Sequence, residues 1–290
     1  MKVIRLEPYG YCAGVENAIN IALETKKNNA DRNVCVLGML VHNQDALQTL
    51  TKNGIKTIYQ EGKTLEELVD LIPDNSIVIL TAHGHSKEIE DKILDRHLEF
   101  VDATCPFVKQ SMGVILHSSV KGKDIFYIGK KGHPEASASI SISDKVHLID
   151  FSNPIIPNIA SDEPLVISQT TFSKKEVEHI VNSIKEKYPK AIIKNGVCHA
   201  SDLRQSAIEN LDEDVDLIYV VGGKNSNNTQ TLLRIAKNKF PNAKVIPIEK
   251  DLEIKRRDLE GLSLIAISSG ASTPKEVTNR VYFRIELLCN

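Results

Sequence analysis

Short apolar runs alternate with longer helical stretches along nearly the whole chain, and this alternation constrains the fold more than any other feature. Residues 2–6, 34–37, 77–80, 125–128, 165–167, 217–221 and 264–267 are rich in Val, Ile and Leu. Between them lie segments with apolar residues at helical spacing, such as Val15, Ile19 and Ala22, and the run 174–187. Strands that are apolar on both faces belong to buried parallel sheets whose crossovers are helices. The predicted fold class is therefore α/β with mostly parallel sheets.

The cysteines add a second constraint. Cys12, Cys105 and Cys198 stand 93 and then 93 residues apart, and 92 residues follow the third. Each lies in a loop beside small or turn-forming residues: Gly10-Tyr11-Cys12-Ala13-Gly14, Thr104-Cys105-Pro106 and Gly196-Val197-Cys198. Three α/β units of equal length, each offering one thiol from an equivalent corner, account for that spacing. The expected boundaries are 13–104, 105–197, and 198–290 joined by the N-terminal strand region 1–12. Cys35, inside an apolar run, and Cys289, at the tail, read as small buried hydrophobes.

Composition excludes several function classes. With 36 basic against 38 acidic residues the chain lacks the basic footprint of a nucleic-acid binder. No apolar run approaches the ~20 residues of a membrane span. Residues 1–5 open directly as a strand, so no secretory leader is expected, and the chain ends soon after its last helix, so no appended domain is expected. Five scattered cysteines do not suit a secreted disulfide framework and point to a reducing cytoplasm. The absence of Trp leaves little for stacking bases or sugars.

Three lone thiols match no zinc-finger spacing. Three equivalent corners converging on a pseudo-threefold axis make a three-thiolate socket, which suits an iron–sulfur cluster. Three ligands on a 4Fe–4S cluster leave one iron open as a Lewis acid. His42, His83 and His133 each follow an apolar run, and strand ends are where ligands bind in open α/β sheets. Imidazoles there can donate hydrogen bonds to an anion. A lone histidine is more often a surface or satisfied core residue, and His85, His97, His117, His147, His179 and His199 read that way. Glu135 leaves the rigid corner made by Pro134. A carboxyl beside an open iron can relay protons to a leaving hydroxyl, although Glu in a first helical turn next to Pro is also ordinary.

Three further strand ends are rich in hydroxyl and amide groups: Gly222-Gly223-Lys224-Asn225-Ser226-Asn227-Asn228-Thr229, Ser268-Ser269-Gly270-Ala271-Ser272-Thr273-Pro274, and Ser168-Gln169-Thr170-Thr171. Each opens a helix, the arrangement that binds phosphate through a helix N-terminus. The Lys-Ser/Thr ending of a Walker loop is missing. Singly each is a helix cap; together with the histidines they predict a pocket for a small, strongly anionic ligand, a phosphate ester.

These segments, with Cys198 and Arg204-Gln205, occur in an order that resembles the 4-hydroxy-3-methylbut-2-enyl diphosphate reductase (LytB) family, over essentially the whole chain. The resemblance implies three pseudo-equivalent α/β units in a trefoil around a 4Fe–4S cluster held by Cys12, Cys105 and Cys198, with one iron open to the substrate's allylic hydroxyl. It implies that His42, His83, His133, Ser226, Asn227, Asn228 and Ser272 hold the diphosphate. The resemblance further implies that Thr170 and Glu135 lie near the hydroxyl, with Glu135 as the proton source. It also implies reductive loss of that hydroxyl to give isopentenyl and dimethylallyl diphosphates, with electrons from a small carrier such as ferredoxin or flavodoxin. Asn227 stands where the family often has Ser or Gly, and Val197-Cys198-His199-Ala200-Ser201-Asp202 is unusual for it. Two other readings use the same cysteines: a non-catalytic iron–sulfur sensor, which needs neither Glu135 nor the anion set, and a zinc phosphoesterase with a three-thiolate metal.

Overall fold

The computed structural model describes residues 1–194, 196–211 and 214–289. In chain order the strands are β1 (Lys2–Arg5), β2 (Asn33–Leu37), β3 (Ile55–Ile58), β4 (Ser76–Leu80), β5 (Glu99–Asp102) and β6 (Ile125–Gly129). They continue as β7 (Val146–Asp150), β8 (Leu165–Ser168), β9 (Ile192–Ile193), β10 (Leu217–Val221), β11 (Lys244–Ile248) and β12 (Leu264–Ser269). The helices are α1 (Ala13–Asn28), α2 (Gln44–Lys52), α3 (Leu65–Val69), α4 (Lys87–Asp95) and α5 (Pro106–Val120), then α6 (Pro134–Ile140), α7 (Lys174–Lys187), α8 (His199–Glu209), α9 (Asn227–Lys239) and α10 (Lys275–Cys289). Among the described residues no helix is long and apolar enough to cross a membrane.

Two compact units divide the chain: Met1–Val15, His42–Ala46 and Cys198–Asn290 form the first, and Glu16–Val41 with Leu47–Val197 the second. The first holds one parallel sheet, ordered β1-β12-β10-β11. The second holds two, ordered β3-β2-β4-β5 and β7-β6-β8-β9, also parallel. Counted from β2, β6 and β10, all three sheets share the strand order 2-1-3-4, with β1 as fourth strand of the sheet begun by β10. In this winding the first and third strands are neighbours whose chains leave in opposite directions. The crevice between their C-terminal ends is the topological switch point where α/β sheets bind ligands.

Burial explains why these segments are strands. Alternate residues face opposite sides of a sheet. Leu217, Tyr219 and Val221 of β10 therefore pack with Val277, Val281 and Ile285 of α10. Ile218 and Val220 pack on the other side with Leu232 and Ala236 of α9. Both faces are covered, so the strand reads as continuously apolar. Each such side chain contributes about 1.5–3 kcal/mol on burial. Helix α7 forms where expected. Ser173 and Glu176 make a reciprocal capping box, and Val177, Ile180 and Ile184 put one apolar stripe on the core.

Two sequence expectations change. Strands β3, β5, β7, β9 and β11 were not expected, and every one of them is a sheet edge. Cys289 is exposed rather than buried, because the last turn of α10 turns it outward, whereas Cys35 is buried in β2 as expected.

Candidate active site

Each residue singled out for chemistry lies between the C-terminal end of a strand and the first turn of the next helix. They fall into three matching sets. His42, His133 and Ser226 follow the first strands β2, β6 and β10. His83, Thr170 and Ser272 follow the third strands β4, β8 and β12. Cys105, Cys198 and Cys12 follow the fourth strands β5, β9 and β1, each at the start of the helix leading to the next sheet. The anion-binding candidates thus occupy the switch point of each sheet, and the thiols occupy its edge.

In the second unit Glu135 is the centre. It is 2% exposed. Its Oε1 accepts the Thr170 N–H at 2.8 Å and the Tyr127 hydroxyl at 3.3 Å, and its Oε2 accepts the Thr170 hydroxyl at 2.9 Å. Burial pushes its pKa up to about 7 against the pull of those donors. A carboxyl with that affinity carries a proton it can give near neutral pH. His133 caps α6 by accepting the Glu135 N–H on Nδ1 at 3.2 Å. The His83 ring meets His133 edge-on, with centroids 5.6 Å apart. The Cys105 N–H donates to the Ala82 carbonyl at 3.0 Å, tying the thiol loop to the His83 loop.

In the first unit Asn228 links three segments. Its Nδ2 donates to Ser201 Oγ at 3.1 Å and its Oδ1 accepts the Ala271 N–H at 2.8 Å, leaving one N–H for a ligand. Ser226 caps α9, its Oγ accepting the Thr229 N–H at 3.3 Å. The buried Ser272 hydroxyl has no hydrogen-bond partner among the described residues. A hydroxyl left so costs roughly 1–3 kcal/mol unless a ligand pairs with it. Asn227 is buried beside these groups in the first turn of α9. A Cβ on Gly223 would stand 2.4 Å from the His42 carbonyl oxygen, so only glycine lets this turn pass His42.

Cys12 and Cys198 also belong to this unit. The Cys12 N–H donates to the Ala271 carbonyl at 2.9 Å. Cys198 caps α8, accepting the Ser201 N–H at 3.4 Å, with Ser201 Oγ 3.1 Å from its sulfur. Arg204 bridges the two thiol loops: Nη2 donates to the Gly10 carbonyl at 2.7 Å and Nη1 to the Ala200 carbonyl at 2.9 Å. Burial lowers its pKa, while the charges of Cys12 and Cys198 raise it.

These thiols fit an iron–sulfur cluster. Cys12, Cys105 and Cys198 are half-buried and outside any disulfide. Each stands at the start of a helix. Burial in β2 pushes the Cys35 thiol up to about 11. Among the described residues no group of three His, Cys, Asp or Glu is gathered as around a single metal ion. A cubane spreads its cysteines over separate irons. A cavity of about 620 Å³ opens between β8, β9 and α7; Ser168 lines it, but the candidate cysteines and histidines, Glu135 and Thr170 do not.

The family model described as LytB protein matches residues 3–286. The chain belongs to the LytB family. A 4-hydroxy-3-methylbut-2-enyl diphosphate reductase of Lysinibacillus sphaericus is 36% identical over 286 residues, 97% of this chain and 87% of that one. One from Brevibacillus brevis is 36% identical over 292 residues, 99% of this chain and 92% of that one. The solved E-1-hydroxy-2-methyl-but-2-enyl-4-diphosphate reductase of Plasmodium falciparum superposes with a TM-score of 0.86 at 27% identity, covering 99% of this chain and 88% of that one. A second solved structure is of (E)-4-hydroxy-3-methyl-but-2-enyl diphosphate reductase, described as the terminal enzyme of the non-mevalonate pathway. It gives a TM-score of 0.67 at 27% identity, covering 99% of this chain and all of that one.

Two roles in this LytB protein escaped the sequence reading. Arg204 was part of a matching motif with no function attached, and Tyr127 was only an apolar strand position. A tyrosine in a strand buried on both faces needs a partner for its hydroxyl, and that was the one available signal.

Proposed function

We propose that this LytB protein reductively removes the allylic hydroxyl of 4-hydroxy-3-methylbut-2-enyl diphosphate, giving isopentenyl and dimethylallyl diphosphates in the last step of the non-mevalonate route. The C–O bond breaks and a C–H bond forms. Two electrons and two protons are consumed, one proton leaving with the oxygen as water. The observation that carries this reading is Glu135, a buried acid whose pKa stands near 7 and whose Oε2 faces the Thr170 hydroxyl. Hydroxide is a poor leaving group, and a protein that expels it needs such a proton donor.

Cys12, Cys105 and Cys198 would hold a 4Fe–4S cluster. Once bound, it supplies electrons and, at the iron without a cysteine, a Lewis-acid site. His42, His83, His133, Ser226, Asn227, Asn228 and Ser272 bind the diphosphate. That remote anion holds the reacting end in place and spends its binding energy on orientation. Thr170 positions the hydroxyl and passes it the Glu135 proton. Electrons come from a one-electron carrier in the cytoplasm, such as ferredoxin or flavodoxin. Anaerobic turnover of the hydroxy diphosphate with a reduced viologen tests this directly. Both five-carbon diphosphates are expected, and a cluster-loaded protein that forms neither overturns the reading.

A further inference from the structure

Tyr127 lies in the middle of β6 and is fully buried, yet its hydroxyl reaches the carboxyl of Glu135 at 3.3 Å. Its ring has a prepared place. A Cβ on Gly129 would meet ring atoms Cε1 at 2.7 Å and Cδ1 at 3.0 Å, so glycine two residues on makes room for it. The carboxyl is therefore asymmetric: among the described residues Oε1 receives two donors, the Thr170 N–H and the Tyr127 hydroxyl, while Oε2 receives one, the Thr170 hydroxyl. A protonated carboxyl has one carbonyl oxygen and one O–H. The oxygen that accepts two donors must be the carbonyl.

We propose that Tyr127 is a positioning residue for this acid: with the Thr170 amide it claims Oε1 and confines the acid's proton to Oε2, against the Thr170 hydroxyl. That hydroxyl then accepts from Glu135 and turns its own hydrogen outward. Without Tyr127 only the Thr170 N–H holds Oε1, and the preference of the proton for Oε2 weakens. The role as an acid rests on the proposed function; the oxygen that holds the proton does not.

Other charged groups around α6 are turned to other partners. His133 accepts the Glu135 N–H and packs on His83. On β7, His147 pairs with Asp124 and Asp150 accepts the Lys131 N–H. On α5, Lys109 pairs with Asp102 and His117 is exposed. Burial raises the proton affinity of Glu135, and the Tyr127 bond, with the two from Thr170, lowers it.

The test is Tyr127→Phe in the anaerobically loaded enzyme, read by infrared difference spectroscopy of the Glu135 carboxyl, which is assigned with Glu135→Gln. Loss of the donor should move the C=O band to higher frequency and the titration up by about half to one pH unit. At pH 7, kcat should fall several-fold with KM unchanged. Should the Phe protein fail to fold, 3-fluorotyrosine at position 127 keeps the ring and strengthens the donor, and should shift band and titration the opposite way. A band and titration unmoved by either change overturn the proposal. Because the band is read without substrate, it decides the role of Tyr127 whether or not the parent chain turns over the hydroxy diphosphate.

Discussion

Glu135 owes its acidity to its place in the fold. A carboxyl in the first turn of a helix is ordinarily ionised and exposed, and the sequence HPE alone reads as helix decoration. Here the side chain turns inward under β6, and burial raises its pKa from 4.5 to about 7. The folded chain therefore holds a proton that the unfolded chain has lost between those two values. Stability contributed by this group is full below pH 4.5, falls as pH rises, and is gone above about 7, a swing of about 3 kcal/mol. Glu135→Gln removes the titration. Its melting temperature should match the parent's near pH 5 and exceed it near pH 8; an equal gap at both would place the carboxyl in a different environment. The same variant should keep its iron and bind the diphosphate while losing most turnover. The parent's rate should decline above about pH 7, as the proton leaves.

Strand positions were legible from the sequence in proportion to their burial. All six inner strands, β2, β4, β6, β8, β10 and β12, stood out because both faces are covered and Val, Ile and Leu run without interruption. The missed edge strands carry the marks of an open side: Lys56 in β3, Glu99 in β5, His147 in β7, and Lys244 and Pro247 in β11. The histidines and hydroxyl loops were legible because they follow the readable strands, whereas the cysteines stood out by their equal spacing, since Cys105 and Cys198 follow the unexpected edge strands β5 and β9. What Arg204 does was not, since Gly10 lies 194 residues away. Arg204 now reads as the clamp between the Cys12 loop and the start of α8. Arg204→Lys keeps the charge but cannot reach both carbonyls. It should lower iron content and shift the midpoint potential of the iron–sulfur signal in an anaerobic redox titration; parent values for both would remove the clamp.

At the scale of the whole molecule, one winding is used three times, and chemistry is distributed over it by position. In the proposed function, first- and third-strand ends would supply anion contacts, except where Thr170 and Glu135 would supply proton chemistry instead. Fourth-strand ends supply one thiol each. The equal cysteine spacing follows from that repetition, since each interval contains one complete sheet and its helices. Departures around Cys198 do not alter this plan. Cys198 still caps α8, and Ser201 hydrogen-bonds its sulfur and accepts from Asn228.

The most direct measurement is iron and sulfide content, with absorption spectra, of the anaerobically purified chain and of its Cys12→Ser, Cys105→Ser and Cys198→Ser variants. A brown, oxygen-sensitive parent with about four irons per chain, and three variants that each fail to keep an intact cluster, is the predicted result. A colourless parent holding one zinc, or any one variant retaining the parent's full iron, would contradict a cluster shared by these three thiols.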